Sequence, residues 1–316
     1  MVEMKSINKT LVKLPKILVL GGINMNLITS SDVIPEPGQT VSGNSIHITP
    51  GGKGANQAVA AARMGAEVSM IGRVGEDEYG VQLIKNLTSE GIDVRYVYKD
   101  SDAQSGIAII LLDKQGQNYI VQVRGANLLT GNNEIQAAQE CLSGVDALMI
   151  QNELPVSVTK SVACSAKELG VPVIFDPAPT DWHLKEIIEY VDIIMPNQNE
   201  AEFLTEVEIN DETSAAKAAS VLLETGVLTV VIKMGELGAY YATSNDSGFV
   251  PSIPAKVVDS VAAGDAFGAS FTVSIAEELS LREAVLKGCA AGSIAVSQKG
   301  AQVSMPRRNQ VDLLIS

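Results

Sequence analysis

Residues 259–265, Asp-Ser-Val-Ala-Ala-Gly-Asp, place two carboxylates around a run of small side chains, and an apolar, helix-forming stretch follows over 266–279. Small residues let the backbone approach an anion closely, and the first turn of a helix presents free N–H groups to that anion. A carboxylate held there can take a proton from a hydroxyl while the amides bind a phosphate. The segment therefore indicates a phosphoryl-transfer site, although so short a pattern is weak without the motifs that accompany it.

A glycine-rich segment lies much earlier in the chain, at residues 51–57, Gly-Gly-Lys-Gly-Ala-Asn-Gln, and leads into the small-residue run 58–62. It is not a Walker A loop, which requires the spacing GxxxxGK[ST]. One interpretation is a glycine turn ahead of a tightly packed, alanine-rich helix. The other is close approach of the backbone to a polyhydroxy ligand, with hydrogen bonds from Lys53 and Asn56. These residues alone fit both interpretations.

A third motif, Pro-Asn-Gln-Asn-Glu at residues 196–200, follows a predicted strand. Asn197 and Glu200 are three residues apart at a helix start, so both side chains can face one site. The pair suits Mg²⁺ held mainly through water, because Mg²⁺ releases its waters reluctantly. A capping box formed by the same two residues is the simpler local explanation, and it does not exclude the metal role.

The fourth motif, Lys-Met-Gly-Glu-Leu-Gly at residues 233–238, lies at the end of another predicted strand. Its glycines permit a tight loop whose backbone groups can contact a nucleotide, but an ordinary turn between strands fits equally well. Further along, the small apolar run 290–300 predicts a packed helix with its C-cap. Trp182 and Cys289 are interpreted first as packing residues.

These motifs must be positioned by the short apolar runs that alternate with helical patterns along the chain. This βαβ rhythm predicts an α/β fold with a mostly parallel sheet covered by helices. Ligands bind such sheets beyond the carboxyl ends of the strands, which is where the polar motifs lie. The predicted strands are 17–20, 68–71, 147–150, 173–175, 193–195 and 230–233. The predicted helices are 56–64, 79–90, 133–142, 158–169, 199–204 and 213–225.

Two regions lack a helical period and predict a small β-sheet built from separate segments. Residues 24–50 alternate and are interrupted by prolines and glycines, whereas residues 106–124 predict a hairpin of strands 107–112 and 119–123 around a turn at 113–117. We interpret this sheet as a lid beside the strand ends. Its uncovered face would need a partner, so we expect a homodimer formed through it.

Composition and charge exclude several classes of function. The 316 residues, 46% of them apolar, suffice for one large domain or two unequal ones. A formal net charge of −14 argues against nucleic acid and anionic membranes as partners, and an aromatic content of 4% argues against base-stacking surfaces.

The cysteines and the N-terminus bear on the cellular setting. Three cysteines without a CxxC pair, and only two histidines, argue against a disulfide framework and against a zinc site. Residues 1–16 lack the apolar core of a signal peptide, and no apolar run reaches membrane-spanning length. We therefore expect a cytoplasmic protein.

The four motifs, in this order and spacing, resemble the ribokinase branch of the PfkB family of sugar kinases, over about residues 16–306. The signatures at 51–54 and 259–265 are highly specific as a pair, and the segments 51–62 and 299–302 look like this branch itself. The resemblance implies one kinase domain over 1–316, with a ribokinase-like three-layer α/β sandwich. It also implies that the β-lid, formed by about 24–50 and 104–124, often acts as a dimer clasp.

The resemblance further implies ATP-dependent phosphorylation of D-ribose at its 5-hydroxyl, with Mg²⁺ and an activating monovalent cation such as K⁺. Asp265 would be the general base, and an ordinary Asp is ionised at neutral pH, a state that a helix N-terminus favours. The implied anion hole is Ala262, Ala263 and Gly264. The implied sugar contacts are Asn24, Asn26, Gly52, Lys53, Gly54, Ala55, Asn56, Glu153 and Asp265. The implied nucleotide and Mg²⁺ contacts are Asn197, Glu200, Lys233, Met234, Gly235, Glu236, Leu237, Gly238, Gly264 and Cys289. The implied monovalent-cation positions are Asp259, Val261, Ala295, Gln298, Gly300 and Ser304.

One residue departs from the pattern of this branch. The first motif there is usually Asn-x-Asp, whose Asp binds two ribose hydroxyls, but here it is Asn-Met-Asn, ending at Asn26. Asn26 keeps one acceptor, replaces the other by a donor and loses the charge. Because a charge-assisted hydrogen bond is roughly twice as strong as a neutral one, we predict weaker ribose binding or a shifted sugar preference.

Three alternatives follow from the same residues. Asn26 leaves open a PfkB-family kinase for 2-deoxyribose, another sugar or a nucleoside, although Glu153 and the 51–56 loop favour ribose. A catalytically silent sugar- or nucleotide-binding regulator is disfavoured because Asp265 and Gly264 are both present. A dehydrogenase is disfavoured because the strand at 17–20 is followed by Gly-Gly-Ile-Asn rather than by GxGxxG.

Overall fold

A computed structural model describes residues 13–114 and 118–316, and a nine-stranded sheet forms the centre of this part of the chain. The run from β5 through β4, β1, β8, β9 and β10 to β11 is parallel, and β12 and β13 add an antiparallel edge. The strands of this sheet are β1 (Lys16–Leu20), β4 (Glu67–Gly75), β5 (Asp93–Asp100), β8 (Ala147–Gln151), β9 (Val173–Asp176), β10 (Ile193–Ile194), β11 (Thr229–Lys233), β12 (Gly238–Thr243) and β13 (Ser247–Pro251).

Helices cover both faces of this sheet, which gives three layers. The helices are α1 (Lys53–Arg63), α2 (Glu78–Ser89), α3 (Asn132–Leu142), α4 (Val156–Glu168), α5 (Lys185–Ile188), α6 (Gln198–Thr205), α7 (Glu212–Leu223), α8 (Ala263–Ala276), α9 (Leu281–Val296) and α10 (Arg308–Ile315). In β1, Ile17 and Val19 pack with α1, α2, α8, α9 and α10, whereas Leu18 and Leu20 pack with α3 to α7. This double burial explains why the central strands are continuous apolar runs rather than alternating ones. Within the described ranges, no helix is long and apolar enough to cross a membrane.

The α/β fold with a mostly parallel sheet is confirmed, and each of the six predicted strands lies within or beside an observed one. Three strands were not predicted, namely β5, β12 and β13. The helix expected from residue 266 begins at Ala263 instead, and the helix expected over 290–300 is wrong in its bounds. That helix runs from Leu281 to Val296, because Ser280 and Glu283 form a capping box at its start.

The two non-helical regions do form a separate four-stranded sheet, which we call the small sheet. Its order is β3-β2-β6-β7, with a parallel pair at the centre and antiparallel pairs outside. The strands are β2 (Asn24–Ser30), β3 (Ser45–Gly51), β6 (Gly106–Leu112) and β7 (Asn118–Val123). Part of the predicted hairpin turn, at 115–117, lies outside the described residues, as do residues 1–12.

Two neighbouring rows of side chains, on opposite faces of the small sheet, differ in polarity. Residues paired across strands share a face, so Thr49, Asn26, Ala108 and Gln122 form one row, here called the polar row. One residue further along, Ile48, Leu27, Ile109 and Val121 form a row on the opposite face, here called the apolar row.

Candidate active site

The carboxyl ends of three parallel strands converge on the starts of three helices. Strand β1 ends at a glycine pair that packs against the start of α1, and β9 ends at the buried Asp176. The end of β11 pairs with the start of α6, because Asn197 and Lys233 form an isolated parallel bridge. Helix α8 starts in the same region, where Asp265 contacts α1. The motifs that sequence analysis treated separately therefore meet at one edge of the sheet.

The start of α8 has the geometry expected of an anion site. Ala262, the N-cap residue, has φ 64° and ψ 8°, a left-handed conformation that is strained for a residue with a Cβ atom. In the described part of the chain, the backbone N–H groups of Gly264 and Asp265 have no hydrogen-bond partner, as is usual in a first helical turn. A Cβ atom at Gly264 would lie 3.5 Å from the Lys233 ammonium nitrogen. Free amides and a cation thus face the same space.

Asp265 is buried at 3% exposure and is held by two amide side chains. Asn56 Nδ2 donates to its Oδ2 at 2.8 Å, and Gln57 Nε2 donates to its Oδ1 at 3.1 Å. Burial raises the pKa of the Asp265 carboxyl to about 6, while Lys53 and the two amides oppose that rise. The pKa of Asp265 therefore lies above that of an ordinary Asp, since desolvation outweighs Lys53 and the two amides. Asp265 remains mostly ionised at neutral pH.

Lys53 supplies positive charge to this negative cluster. Burial disfavours its ammonium form, but the carboxylates of Asp176, Asp265, Glu200 and Glu153 raise the pKa of Lys53 above its usual value. Glu200 is affected mainly by burial, which disfavours its charged form and raises the pKa of its carboxyl. The site thus brings four carboxylates and two lysines, Lys53 and Lys233, into one region.

Glu153 organises the side of the site next to the small sheet. Its Oε1 accepts from Asn24 Nδ2 at 3.2 Å and from Gln122 Nε2, and its Oε2 accepts from the backbone N–H of Lys53 at 2.7 Å. Asn24 Oδ1 in turn accepts from Asn127 Nδ2 at 2.8 Å. A carboxylate has about four acceptor sites, so Glu153 keeps one free for a further hydroxyl.

Asn26 lies in the polar row and is only 5% exposed, yet its side-chain amide makes no hydrogen bond to another described residue. It packs over Gly51, where an added Cβ atom would lie 2.3 Å from Asn26 Nδ2. Together with Gln122 it directs amide groups at the same face of the small sheet. An unpaired amide with so little exposure is suited to binding a ligand.

The glycine segment serves packing as well as the site. Gly52 has φ 90°, and a Cβ atom there would lie 2.6 Å from the Gly22 carbonyl oxygen. A Cβ atom at Gly54 would lie 2.6 Å from the Gly21 Cα, and the Ala55 N–H already donates to the Gly22 oxygen at 3.1 Å. The packing interpretation therefore explains Gly52, Gly54 and Ala55, whereas Lys53 and Asn56 extend into the charged cluster.

The Asn197–Glu200 motif is a capping box in this structure. Glu200 N donates to Asn197 Oδ1 at 2.9 Å, Asn197 N donates to Glu200 Oε2 at 2.7 Å, and Asn197 Nδ2 donates to Glu200 Oε1 at 2.8 Å. The pair retains oxygen lone pairs, which is the chemistry that Mg²⁺ and its waters prefer.

Some of residues 233–238 face the site, and others pack within the fold. Lys233 Nζ donates to Asp176 Oδ1 at 3.3 Å, and the short 3₁₀ helix Gly235–Leu237 follows, which includes the exposed Glu236. Met234 is buried, and Gly238 has φ 127° and lies against the Val250 carbonyl. Both of these residues therefore have packing roles that account for them.

Cys289 is buried in α9, and burial raises the pKa of its thiol to about 12. It lies one turn before Gly292, where a Cβ atom would be 3.6 Å from the Ala263 carbonyl oxygen. The residue therefore lies close to the start of α8.

The six positions expected around a monovalent cation lie on segments that contact one another. Asp259 Oδ1 accepts from Val261 N at 3.0 Å, and its Oδ2 accepts from Gly300 N at 2.9 Å. Ser304 is buried, whereas Gln298 is exposed. Across residues 13–114 and 118–316, no group of three or more His, Cys, Asp or Glu side chains is arranged for a metal ion. Carbonyl oxygens with one carboxylate are a donor set that suits a hard cation such as K⁺.

The structure also contains site residues that sequence analysis did not assign. Gln57 closes the glycine motif, and Asp176 ends a strand, so each lay beside a detected signal. Gln151 also ends a strand, whereas Gln122 and Asn127 lie far in sequence from the residues they contact and meet the site only through the fold. The unassigned residues are Gln57, Gln122, Asn127, Gln151 and Asp176.

Comparison with known proteins shows similarity along nearly the whole chain. A family model described as pfkB family carbohydrate kinase matches residues 14–308. The chain is 39% identical over 292 residues to a protein named ribokinase from Haemophilus influenzae, which covers 92% of this chain and 95% of the relative. It is 36% identical over 301 residues to a Bacillus subtilis ribokinase, with 95% of this chain and 99% of the relative covered.

Comparison with solved structures shows the same similarity along nearly the whole chain. The solved structure of Arabidopsis thaliana ribokinase complexed with ribose and ATP superposes with a TM-score of 0.88 at 30% identity. The superposition covers 96% of this chain and 99% of that one.

Proposed function

The chain belongs to the PfkB family of carbohydrate kinases, and from that premise we propose that it transfers the γ-phosphoryl group of ATP to the 5-hydroxyl of D-ribose. The observation that carries the proposal is the buried Asp265 carboxylate at the start of α8, beside free backbone amides and the Asn24–Glu153 cluster. Relatives named ribokinase, matched over nearly their full length, support ribose as the substrate.

In this mechanism Asp265 is the general base. The hydroxyl oxygen of the sugar forms a bond to the γ-phosphorus as the bond from that phosphorus to the bridging oxygen of ADP breaks, and the hydroxyl proton moves to Asp265. A carboxylate with a pKa of about 6 is a weak base for an alcohol, but it suffices because that proton becomes acidic only as the new bond forms. The free amides of Gly264 and Asp265, together with Lys233, stabilise charge on the migrating group. The Ala263 N–H of the expected anion hole instead donates to the Ser260 carbonyl oxygen at 3.4 Å.

We assign the sugar to the space between Asp265 and the small sheet. Glu153 accepts a hydroxyl at its free acceptor site, Asn24 and Asn26 contribute amide groups, and Lys53 and Asn56 complete the polar lining. The small sheet acts as a lid that excludes water and so limits hydrolysis of ATP.

We assign the nucleotide to the region of 233–238 and Cys289, and Mg²⁺ to the neighbourhood of Asn197 and Glu200. The ion would neutralise phosphate charge, and the capping-box carboxylate would hold it mainly through water. A monovalent cation would bind the carbonyl groups around Asp259 and Gly300 and steady the loop before α8. A cytoplasmic location stays a prediction.

The chain also has the features of a homodimer that pairs through the small sheet. Its apolar row leaves Ile48 50%, Ile109 45% and Val121 63% exposed, and a flat apolar sheet face of this kind is usually covered in a native protein.

The direct test is ADP release with Mg-ATP and K⁺, comparing D-ribose with 2-deoxyribose, other pentoses, fructose and nucleosides. Ribose-dependent turnover that falls at least about 100-fold in Asp265→Asn is expected, since a general base contributes roughly 10²–10⁴-fold. Replacing K⁺ by Na⁺ or omitting it tests the cation. Wild-type turnover with none of these substrates would refute the proposal.

A second candidate is a kinase for a related sugar, and the neutral Asn26 is the observation that favours it. An amide at this position makes weaker hydrogen bonds to hydroxyls than a carboxylate. Higher kcat/KM for another sugar than for ribose in the same assay would select this candidate.

A further inference from the structure

One amide nitrogen lies between two buried carboxylates at the centre of the site. Gln57 Nε2 donates to Asp265 Oδ1 at 3.1 Å and to Asp176 Oδ2 at 3.0 Å. Gln57 is fully buried and Asp176 is 2% exposed, so neither side chain competes with bulk water for these bonds. The amide thus ties the proposed base to a second acid that the mechanism above does not use.

The orientation of this amide is fixed from both ends. Gln57 Oε1 accepts from Gln151 Nε2 at 2.7 Å, and Gln151 is 1% exposed. Because carboxylates can only accept hydrogen bonds, the nitrogen of Gln57 must face Asp265 and Asp176. On its other oxygen Asp176 accepts from Lys233 Nζ at 3.3 Å. The chain of contacts therefore runs from Gln151 through Gln57 to both carboxylates and on to Lys233.

The two partners act on Asp265 in opposite directions. The negative charge of Asp176 raises the pKa of the Asp265 carboxyl, whereas the hydrogen bond from Gln57 lowers it. The other charged groups around this cluster are Lys53 from α1, Lys233 from β11, Glu200 from α6 and Glu153 after β8. Changes at Gln57 and Asp176 leave those groups in place.

We propose that Gln57 and Asp176 are positioning residues for the general base: the Gln57 amide fixes the direction of the Asp265 carboxylate, and the charge of Asp176 strengthens it as a proton acceptor. This inference rests on the proposed function of Asp265. Gln57 has no exposed surface, so it acts through Asp265 rather than by touching the sugar or ATP.

The kinetic test compares Asp176→Asn with Gln57→Met, which keeps the length of the side chain but removes its donor. The acid limb of the profile of kcat/KM against pH reports the ionisation of the free enzyme. In Asp176→Asn this limb should move to lower pH, by about one pH unit for a charge at this range in a partly polar site. In Gln57→Met it should move to higher pH, with kcat reduced about 10- to 100-fold and KM values changed less than about threefold. ATP is common to all assays, so its own ionisation cancels.

A matched control removes a similar glutamine-to-carboxylate hydrogen bond elsewhere. Gln82 Nε2 donates to Glu78 Oε1 at 3.3 Å on the exposed face of α2, and Gln82→Met should leave both the limb and kcat unchanged. Opposite shifts in the two site variants, with none in the control, are the expected result. Shifts in the same direction, or no shift, would overturn the proposal, because general loosening of the site cannot produce opposite signs.

A second measurement separates this inference from the proposed function. In protein labelled with ¹³C-Asp, the side-chain carboxyl signal lost in Asp265→Asn identifies Asp265, and its titration can be followed without sugar or ATP. The midpoint should fall in Asp176→Asn and rise in Gln57→Met even if ribose is not the substrate. If Gln57→Met does not fold, the nearly isosteric Asp176→Asn decides alone, since an unchanged or raised midpoint would contradict the role of Asp176.

Discussion

At the residue scale, Asp265 is held in surroundings that disfavour its own charge. Its burial raises its pKa to about 6, so the native state binds this proton more tightly than the unfolded chain, where the value is about 3.8. The stabilising effect of this proton is complete below about pH 4 and is lost as the pH rises through about 6. At neutral pH the protein therefore keeps a reactive anion at a cost in stability.

We predict that Asp265→Asn is more stable than the wild type at pH 8 but not at pH 4. A shift of about two pKa units corresponds to about 3 kcal/mol, and losing one hydrogen-bond acceptor returns about 1 kcal/mol. The free energy of unfolding at pH 8 should thus rise by roughly 1–2 kcal/mol. Urea unfolding without ligands at both pH values measures it, and a gain of equal size at the two would rule out this explanation.

A second prediction at this scale concerns Asn26. Its amide has no hydrogen-bond partner in the described part of the chain, so a carboxylate there would be free to accept from hydroxyls. Asn26→Asp should lower KM for ribose about threefold to tenfold, because a charged acceptor strengthens the bond. Asn133→Asp adds the same charge at an exposed position on α3 and should have no effect. An unchanged or higher KM in Asn26→Asp would refute the prediction.

At the scale of elements, strand alternation in the small sheet separates two tasks. The polar row faces Glu153 through Gln122, and the apolar row faces away. A register shift of one residue would exchange the faces, so the pairing of β2 with β6 decides which side chains reach the site. The contact from Gln122 to Glu153 is a side-chain hydrogen bond that joins β7 to the core.

We predict that Gln122→Leu opens the small sheet more often in the ligand-free protein. A hydrogen bond to a charged group contributes about 1.5–3 kcal/mol, so amide hydrogen exchange in β6 and β7 should accelerate about tenfold to a hundredfold. Val121→Leu changes the same strand on its other face and should exchange like the wild type. Equal protection in all three proteins would show that the contact does not hold the sheet.

The elements differed in how far the sequence could predict them. β1 and β8 were found because burial on both faces makes them continuous apolar runs. β5 is an edge strand with the sequence Asp-Val-Arg-Tyr-Val-Tyr-Lys-Asp. It was not predicted because its charged residues interrupt the apolar pattern that indicates a strand. Helix α8 begins three residues before its apolar run because the left-handed Ala262, rather than hydrophobicity, sets its start.

The same distinction applies to the site. Asp265 and Asn56 lie in motifs with recognisable spacing, and they do come together. Gln122 and Asn127 have no local signal, since their role depends on the fold bringing residues about 30 and 100 positions apart into contact. Pairings at such separation cannot be read from hydrophobic periodicity, which reports only local structure.

At the scale of the whole molecule, the apolar row of the small sheet leaves Ile48, Ile109 and Val121 about half exposed or more. We predict that Val121→Glu converts a dimer into monomers, because the new charge would be buried without a partner in the interface. Sedimentation velocity at micromolar concentration measures the change. Val81→Glu, at a position 55% exposed on α2, should leave the assembly intact. A wild-type monomer at that concentration would contradict the dimer.

The hydrogen bond from Asn56 to Asp265 joins residues 209 positions apart. During synthesis, the other groups proposed to hold the sugar, from Asn24 to Glu153, are made well before the base Asp265. Catalysis can therefore begin only when α8 docks onto α1. Turnover by this protein therefore requires that the last quarter of its chain has folded.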